Sequence, residues 1–432
     1  MKESKYNIYD MKDLYEGYVF NTLSQAYAKI DKKYFLLLRK ITSSDEINYN
    51  CLNDDEQVLY DNMVKNKFVV EDTEDELKLY LRRRAYQVNN NKSLKMVIAP
   101  TLQCNFGCPY CYEKNSNIYM DKNTINEILS YIENTFKKNI IERLIISWYG
   151  GEPLLGLSII EILSKQIIDL CHKYKINFYA NIISNGYLIN EKVAQKLHDL
   201  KIYGAQITID GTKDIHNKRR FLKNNTTVDT YSKIISGINH LLDNNIKVSI
   251  RINVDKNNKS MVEETLITLV NKIKNLENTN IYVAHVFDED DSSYCLSKEE
   301  FSEIEIKAAK LLSKLGLKHM RQKLYPKCKY NFCSATIKNN IVISPTGEIF
   351  KCWNDICTNK YSIGKISDHN FSLSEENEWL NYKLPNRCLN CKYLPLCSGG
   401  CPRSPIHFGS KNQCESIKYN ISKKLSLYCF NK

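Results

Sequence analysis

From Leu94 onward the chain settles into a rhythm that few folds can satisfy. Apolar runs at 96–102, 144–149, 178–184, 205–209, 248–254 and 281–287 alternate with helix-length amphipathic segments, among them 123–137, 157–174, 229–242 and 298–315. Short, continuous apolar runs mark strands buried on both faces, and parallel strands need a crossover helix to bring the chain back between them. Six such units in succession predict an α/β fold with a (β/α)6 barrel or partial (β/α)6 barrel over residues 94–324. In that architecture chemistry gathers in the loops after the C-terminal strand ends, so functional residues are to be sought there.

The flanks read differently. Residues 1–93 hold strand-like pieces at 18–21, 26–30 and 67–70 and helix-like stretches at 32–41 and 54–65. That is a small α+β module of winged-helix size, joined onward by a charged helical stretch at 74–86. Residues 325–432 leave the alternation and carry ten of the sixteen cysteines, with short turns and little hydrophobic period. A segment of that kind is expected to be held together by metal.

Sixteen cysteines in 432 residues call for either disulfides or metal. The opening MKESKYNIYD lacks the apolar run of a signal peptide, and no stretch approaches the length of a membrane span. The expectation is a cytoplasmic, reduced protein that spans no membrane and spends its cysteines on metal. The net charge of +12 comes from Lys spread along the whole chain rather than from a patch, so no nucleic-acid partner is expected.

One cysteine group falls directly after the first barrel strand: Cys104, Cys108 and Cys111, in Cys-Asn-Phe-Gly-Cys-Pro-Tyr-Cys-Tyr. Three thiolates can hold three irons of a cubane and leave the fourth iron open to a ligand. A three-cysteine zinc site would want a fourth ligand, and no neighbour in the sequence offers one.

With this motif the chain resembles the radical S-adenosylmethionine (SAM) superfamily. The resemblance implies a reductive [4Fe–4S] cluster on Cys104, Cys108 and Cys111, whose open iron is chelated by the methionine end of S-adenosyl-L-methionine. One-electron reduction then yields a 5′-deoxyadenosyl radical that abstracts hydrogen from substrate. Tyr112, after the last cysteine, is implied to lie against the adenine. Gly150-Gly151-Glu152-Pro153 at the second strand tip matches the family's GGE motif. The glycines permit close backbone approach, and Glu152 is suited to accept from the cofactor's ammonium. Ser184-Asn185-Gly186 ends the third strand and Asp210-Gly211 the fourth; His216 to Arg220 resembles the H-x3-R stretch of the peptide- and protein-modifying branch. By that match Ser184 and Arg220 bind the cofactor's carboxylate, Arg220 as a planar fork, with Arg219 an adjacent competitor. Arg251 and Asn253 on the fifth strand either line the site or are solvated strand-end residues.

The distal cysteines form a second pattern. Cys333 is followed by Gly347-x4-Cys352, then Cys388-x2-Cys391-x5-Cys397-x3-Cys401 and Cys414. This set resembles the SPASM domain, whose two auxiliary clusters would bring the total to three [4Fe–4S] clusters. With Cys328 there are eight ligands: Cys328, Cys333, Cys352 and Cys401 for the first cluster, Cys388, Cys391, Cys397 and Cys414 for the second. Eight cysteines would also serve two zinc ribbons. Full coordination suits electron transfer, whereas a first cluster without Cys328 would have an open iron for a substrate thiolate. Cys51, Cys171, Cys295, Cys357 and Cys429 fit neither set and read as ordinary thiols.

The resemblance spans about residues 94–420 and points to enzymes that modify peptides or proteins. The expected function is oxidative crosslinking, thioether or carbon–carbon, of a ribosomally made precursor peptide, served by a flavodoxin- or ferredoxin-type reductant. The N-terminal module resembles the winged-helix peptide-recognition domain of such crosslinking maturases, which implies capture of the leader sequence as an added strand; a purely structural cap on the barrel is the alternative. Sulfatase-maturing enzymes are the alternative; they place an aspartate directly after the G-x4-C cysteine, where this chain has Trp353, with Asp355 two residues later. A ferredoxin-like electron carrier is the alternative of another class, and it has no need of an open-iron motif.

Overall fold

The computed structural model describes residues 1–14, 16–43, 49–90, 92–113, 115–286, 294–368, 377–409 and 414–429. They divide into two compact units: residues 1–88, 323–333 and 382–432 form one, and 89–322 with 334–381 the other. These units cut across the three segments drawn from sequence.

The first unit opens with strands β1 (Lys2–Glu3), β2 (Asn7–Met11), β3 (Gly17–Asn21), β4 (Tyr27–Ile30) and β5 (Val69–Val70). β2, β3 and β4 form an antiparallel meander with β3 in the centre, and β1 pairs antiparallel with β5. Helices α1 (Lys32–Ser43), α2 (Asp54–Lys65) and α3 (Glu76–Val88) complete it. α2 starts where Asn53 and Glu56 close a capping box, each satisfying the other's free backbone N–H. Val19, Ile30, Leu37, Ile41, Met63 and Val69 make the shared core. β2 escaped the sequence reading because Asn7 and Asp10 dilute its strand propensity. A second core joins Tyr6, Leu23 and Tyr80 to Leu384 and Leu394. Tyr80 donates to the Lys329 carbonyl at 3.0 Å and Thr22 to the Lys392 carbonyl at 2.6 Å, so the cysteine-rich tail and the N-terminal module fold as one body.

The second unit is built on β6 (Ser93–Ile98), β7 (Arg143–Trp148), β8 (Asn177–Ser184), β9 (Ile202–Thr208), β10 (Lys247–Val254) and β11 (Thr279–His285). All six run parallel in sequence order, and the sheet ends at β11 instead of closing onto β6, which gives a partial (β/α)6 barrel. The expected end of the sixth run, at 287, lies outside the described residues. α4 (Lys122–Lys138), α5 (Leu157–Tyr174), α6 (Glu191–Asp199), α7 (Lys213–Arg219), α8 (Thr230–Asp243), α9 (Val262–Lys272) and α10 (Lys298–Lys314) connect and cover the strands. Leu94, Ile146, Ile182, Ile207, Ile250 and Ile281, one from each strand, are buried in a common core. Each such side chain contributes roughly 1.5–3 kcal/mol by leaving water.

Residues beyond 325 are not free of regular strands: β12 (Asn340–Ile343) adds to β6 in parallel, and β13 (Glu348–Phe350) and β14 (Gly364–Lys365) follow antiparallel. All four residues of β12 are buried, a continuous run too short to stand out among cysteines. Gly347, the glycine of the G-x4-C element, takes φ +83° in the β12–β13 turn and returns its N–H to the Ser344 carbonyl at 3.1 Å. Among the described residues no helix is long and apolar enough to cross a membrane.

Candidate active site

The loop carrying Cys104, Cys108 and Cys111 leaves the C-terminal end of β6 and is held by backbone bonds from both sides. Glu152 N–H donates to the Gln103 carbonyl at 2.8 Å, Gly107 N–H to the Phe221 carbonyl at 3.0 Å, and Lys223 N–H to the Asn105 carbonyl at 3.0 Å. The two glycines at the β7 tip explain the closeness. A Cβ on Gly150 would stand 2.3 Å from the Thr101 carbonyl oxygen, and one on Gly151 2.5 Å from that of Gln103. The close approach these glycines allow is therefore to the protein's own cysteine loop.

Cys104 and Cys108 are half-buried and Cys111 is exposed at the loop's rim. Burial pushes the Cys104 thiol up to about 12, the Glu152 charge adding to the effect, and Cys111 up to about 11. Such thiols stay protonated until a cation gives the thiolate a partner, which iron does. Among the described residues no three Cys, His, Asp or Glu side chains converge to hold a single metal ion. A cubane asks for a different arrangement, with each thiolate on its own iron.

Glu152 is wholly buried. Its Oε1 accepts from Ser184 Oγ at 2.8 Å and from Leu154 N–H at 3.1 Å, and its Oε2 from Asn185 N–H at 2.7 Å. Burial raises its pKa against these bonds and against the nearby charge of Arg220, and a further cation beside it would favour the carboxylate. Ser184 is bound to Glu152 and in turn accepts from Gly186 N–H at 3.0 Å, and Asn185 reaches Asn105 of the cysteine loop at 2.7 Å. The β7 and β8 tips thus meet the loop as one network.

Arg219 and Arg220, equal in sequence apart from spacing, are separated by their partners. Arg219 donates to both oxygens of Asp255, at 3.3 and 2.7 Å, has its Nε 3.8 Å from Asp210 Oδ2, and lies over the Tyr110 ring at 5.1 Å. Arg220 is buried over the Phe106 ring at 5.5 Å, gives Nη1 to the Tyr110 hydroxyl at 2.7 Å, and leaves its buried Nε without a partner. Tyr110 also binds buried Asp210 through its hydroxyl, and Asn253 reaches that hydroxyl at 3.4 Å while accepting from Arg251 Nε at 2.7 Å. Arg251 and Asn253 therefore belong to the site's wall. In the sequence Tyr110 carries no signal beyond its place between two of the three cysteines.

Tyr112 is more than half exposed, its hydroxyl on that of Tyr149. Tyr149 stacks on exposed Trp353 with centroids 5.7 Å apart and planes at 26°, while Asp355 is buried. Three thiols, an arginine with a free buried N–H and a buried carboxylate meet around one loop, a donor set that fits an iron cluster and an amino-acid ligand.

Residues 98–269 match the family model described as Radical SAM superfamily. This part of the chain is a radical SAM domain. The cysteine-type anaerobic sulfatase-maturating enzyme of Clostridium novyi (strain NT) is 25% identical over 379 residues, spanning 78% of this chain and 96% of that protein. Among solved structures, native anSMEcpe with bound AdoMet superposes with TM-score 0.63 at 20% identity over 78% of this chain and 97% of its own. Streptococcus suis SuiB bound to its precursor peptide SuiA gives TM-score 0.54 at 14% identity over 96% of this chain and 99% of its own. At those identities the likeness is one of fold.

Outside the radical SAM domain, Cys388, Cys391, Cys397 and Cys414 all lie in the first unit. Burial pushes the Cys388 thiol up, the charges of nearby Cys391 and Cys414 adding to the effect, and burial pushes Cys397 up to about 11, with Cys391 and Cys388 adding there. Of the other expected set, Cys328, Cys333 and Cys401 belong to the first unit and buried Cys352 to the second.

Proposed function

We propose that this radical SAM protein is a peptide maturase that installs an oxidative thioether or carbon–carbon crosslink in a ribosomally made precursor. The observation that carries the catalytic half is Arg220, buried near Cys108 and Cys111 with its Nε unpartnered and, among the described residues, no carboxylate hydrogen-bonded to its guanidinium. A guanidinium in that position is suited to a carboxylate, which it takes as a fork. Glu152 stands across the cysteine loop as acceptor for the ammonium of the same ligand. The cofactor and cluster together supply, on one-electron reduction, a 5′-deoxyadenosyl radical able to take hydrogen from an unactivated carbon. The chain's own part is positional: Cys104, Cys108 and Cys111 hold the cluster, and Arg220 and Glu152 fix the two charged ends of one amino acid. Gly150, Gly151 and Ser184 keep the strand tips against the loop, and Tyr112 offers a ring at its rim.

Cys328, Cys333, Cys352 and Cys401, and Cys388, Cys391, Cys397 and Cys414, would hold two auxiliary [4Fe–4S] clusters that give an oxidative reaction its electron sink. Leader capture is supported by the meander of the first unit, whose β2 and β4 are edge strands with backbone groups available to an added strand. SuiB, similar in fold over nearly the whole chain, is a protein solved with its precursor peptide. A flavodoxin- or ferredoxin-type protein would supply the electron.

A second reading, sulfatase maturation by oxidation of a Ser or Cys, rests on the Clostridium novyi relative. Against it stands Trp353 directly after Cys352, an indole that accepts no proton. The deciding experiment is anaerobic co-expression with a short precursor encoded nearby, followed by mass spectrometry. Loss of two hydrogens per crosslink supports the maturase. An unmodified precursor, with formylglycine formed on a sulfatase peptide, overturns it. Absence of 5′-deoxyadenosine from iron-loaded protein given dithionite and SAM would leave only an electron carrier.

A further inference from the structure

Arg220 and Asp210 are both buried, oppositely charged and close, yet among the described residues no ion pair joins them directly. The Tyr110 hydroxyl stands between. It donates to Asp210 Oδ2 and accepts from Arg220 Nη1 at 2.7 Å. Asp210 is itself fixed through its backbone: its N–H donates to His216 Nδ1 at 3.3 Å, and its carbonyl accepts from Asn258 Nδ2 at 3.1 Å. Its Oδ1 makes no hydrogen bond, its Oδ2 also lies 3.8 Å from Arg219 Nε, and the buried Nε atoms of both arginines lack a hydrogen-bond partner.

Two complementary charges kept apart in a dry interior are a poised arrangement. In direct contact a carboxylate would occupy the guanidinium's fork and quench it as an anion site. A neutral hydroxyl satisfies one N–H and leaves the charge in place. Arg219 cannot substitute, since Asp255 takes both of its terminal nitrogens and its Nε already faces Asp210.

We propose that Tyr110 is a positioning residue whose hydroxyl spaces Arg220 from Asp210 and so keeps the guanidinium available to the carboxylate of SAM. The inference rests on the assignment of that carboxylate to Arg220. Tyr110 lies within the cysteine loop, so the same residue ties the loop that carries the cluster to the arginine that would hold the cofactor. His216 and Asn258 serve it indirectly, by holding the backbone of Asp210.

The test uses the full chain, reconstituted anaerobically with iron and sulfide, and reads equilibrium binding of SAM together with the change SAM causes in the EPR signal of the reduced cluster. Tyr110→Phe keeps the ring and removes the spacer. Its affinity for SAM should fall on the order of tenfold or more, the loss expected when a charge-assisted contact is forfeited. Adding Asp210→Asn removes the competing carboxylate, and affinity and EPR change should return toward wild type. A merely structural tyrosine predicts the reverse, with the second substitution adding to the damage. Tyr110→Phe binding SAM as tightly as wild type overturns the proposal, and so does a double variant no better than the single one. If Tyr110→Phe alone loads no iron, the double variant still decides, because recovery of iron and binding together is required. A wild-type chain that loads iron and binds no SAM overturns the functional reading and this inference with it, whereas normal wild-type binding confines any failure to Tyr110.

Discussion

Arg219 faces Asp255 through two hydrogen bonds, Nη1 to Oδ1 at 3.3 Å and Nη2 to Oδ2 at 2.7 Å, in a pair where both side chains are largely shielded from water. Its neighbour in sequence has no carboxylate of its own. The two arginines should therefore fail differently when removed. Arg219→Ala strands a buried carboxylate and should cost about 3–5 kcal/mol of stability, read as a lower midpoint in thermal unfolding. Arg220→Ala should leave folding less affected and reduce SAM affinity by roughly ten- to a hundredfold. Equal loss of SAM binding in both variants, at equal stability, would contradict the division of roles.

Glu152 accepts three hydrogen bonds and donates none. Glu152→Gln keeps the shape and replaces one acceptor oxygen by an NH2 that faces donors. That mismatch should cost about 1–3 kcal/mol of stability, and it removes the negative charge that would meet the cofactor's ammonium. SAM binding is expected to weaken by more than tenfold, on the order of a lost charged partner. Isothermal titration against the reconstituted protein measures it, and wild-type affinity in the Gln variant would falsify the ammonium assignment.

The barrel was legible in the sequence because a strand buried on both faces writes itself as a continuous apolar run, and five of the six runs match strands to within a few residues. β12 was missed because four buried residues between polar neighbours carry too little pattern, and their partner strand lies some 240 positions earlier in the chain. At the site, Cys104, Glu152 and Arg220 could be found by type and spacing. What separates Arg220 from Arg219 could not, since it depends on Asp255 and Tyr110, brought in from β10's end and from the cysteine loop. Gly151 marks a close backbone approach in the sequence; only the fold shows that Gln103 is one of the neighbours approached.

Iron content separates the cysteine sets. With all three clusters loaded the chain should carry about twelve irons. Replacing Cys104, Cys108 and Cys111 by Ala should remove about four of them and abolish 5′-deoxyadenosine formation. Replacing Cys388 and Cys391 should also lower the iron count but preserve reductive cleavage of SAM, with the crosslinked product lost. Because the tail around these two cysteines packs with the N-terminal module through Leu384 and Leu394, the second variant should also become more sensitive to proteolysis in residues 382–432. An iron count unchanged by the second pair would argue against auxiliary clusters there.

Gly151 offers the sharpest test of how the cysteine loop is held. A Cβ there would meet the Leu102 and Gln103 carbonyl oxygens at 2.6 and 2.5 Å, backbone atoms that cannot swing away like a side chain. Gly151→Ala must push the loop off the β7 tip and stretch the 2.8 Å bond from Glu152 N–H to Gln103. The expected cost is about 1–3 kcal/mol, as for other overpacked sites, accompanied by poorer iron loading at the first cluster. Gly204 is the control: a Cβ there meets only the Asn181 Cβ, at an ordinary 3.4 Å. Gly204→Ala should therefore leave both iron loading and the unfolding midpoint nearly unchanged. If the two alanine variants unfold together and load iron alike, the loop is not anchored through Gly151, and Glu152 must owe its place to Ser184 and Asn185 alone.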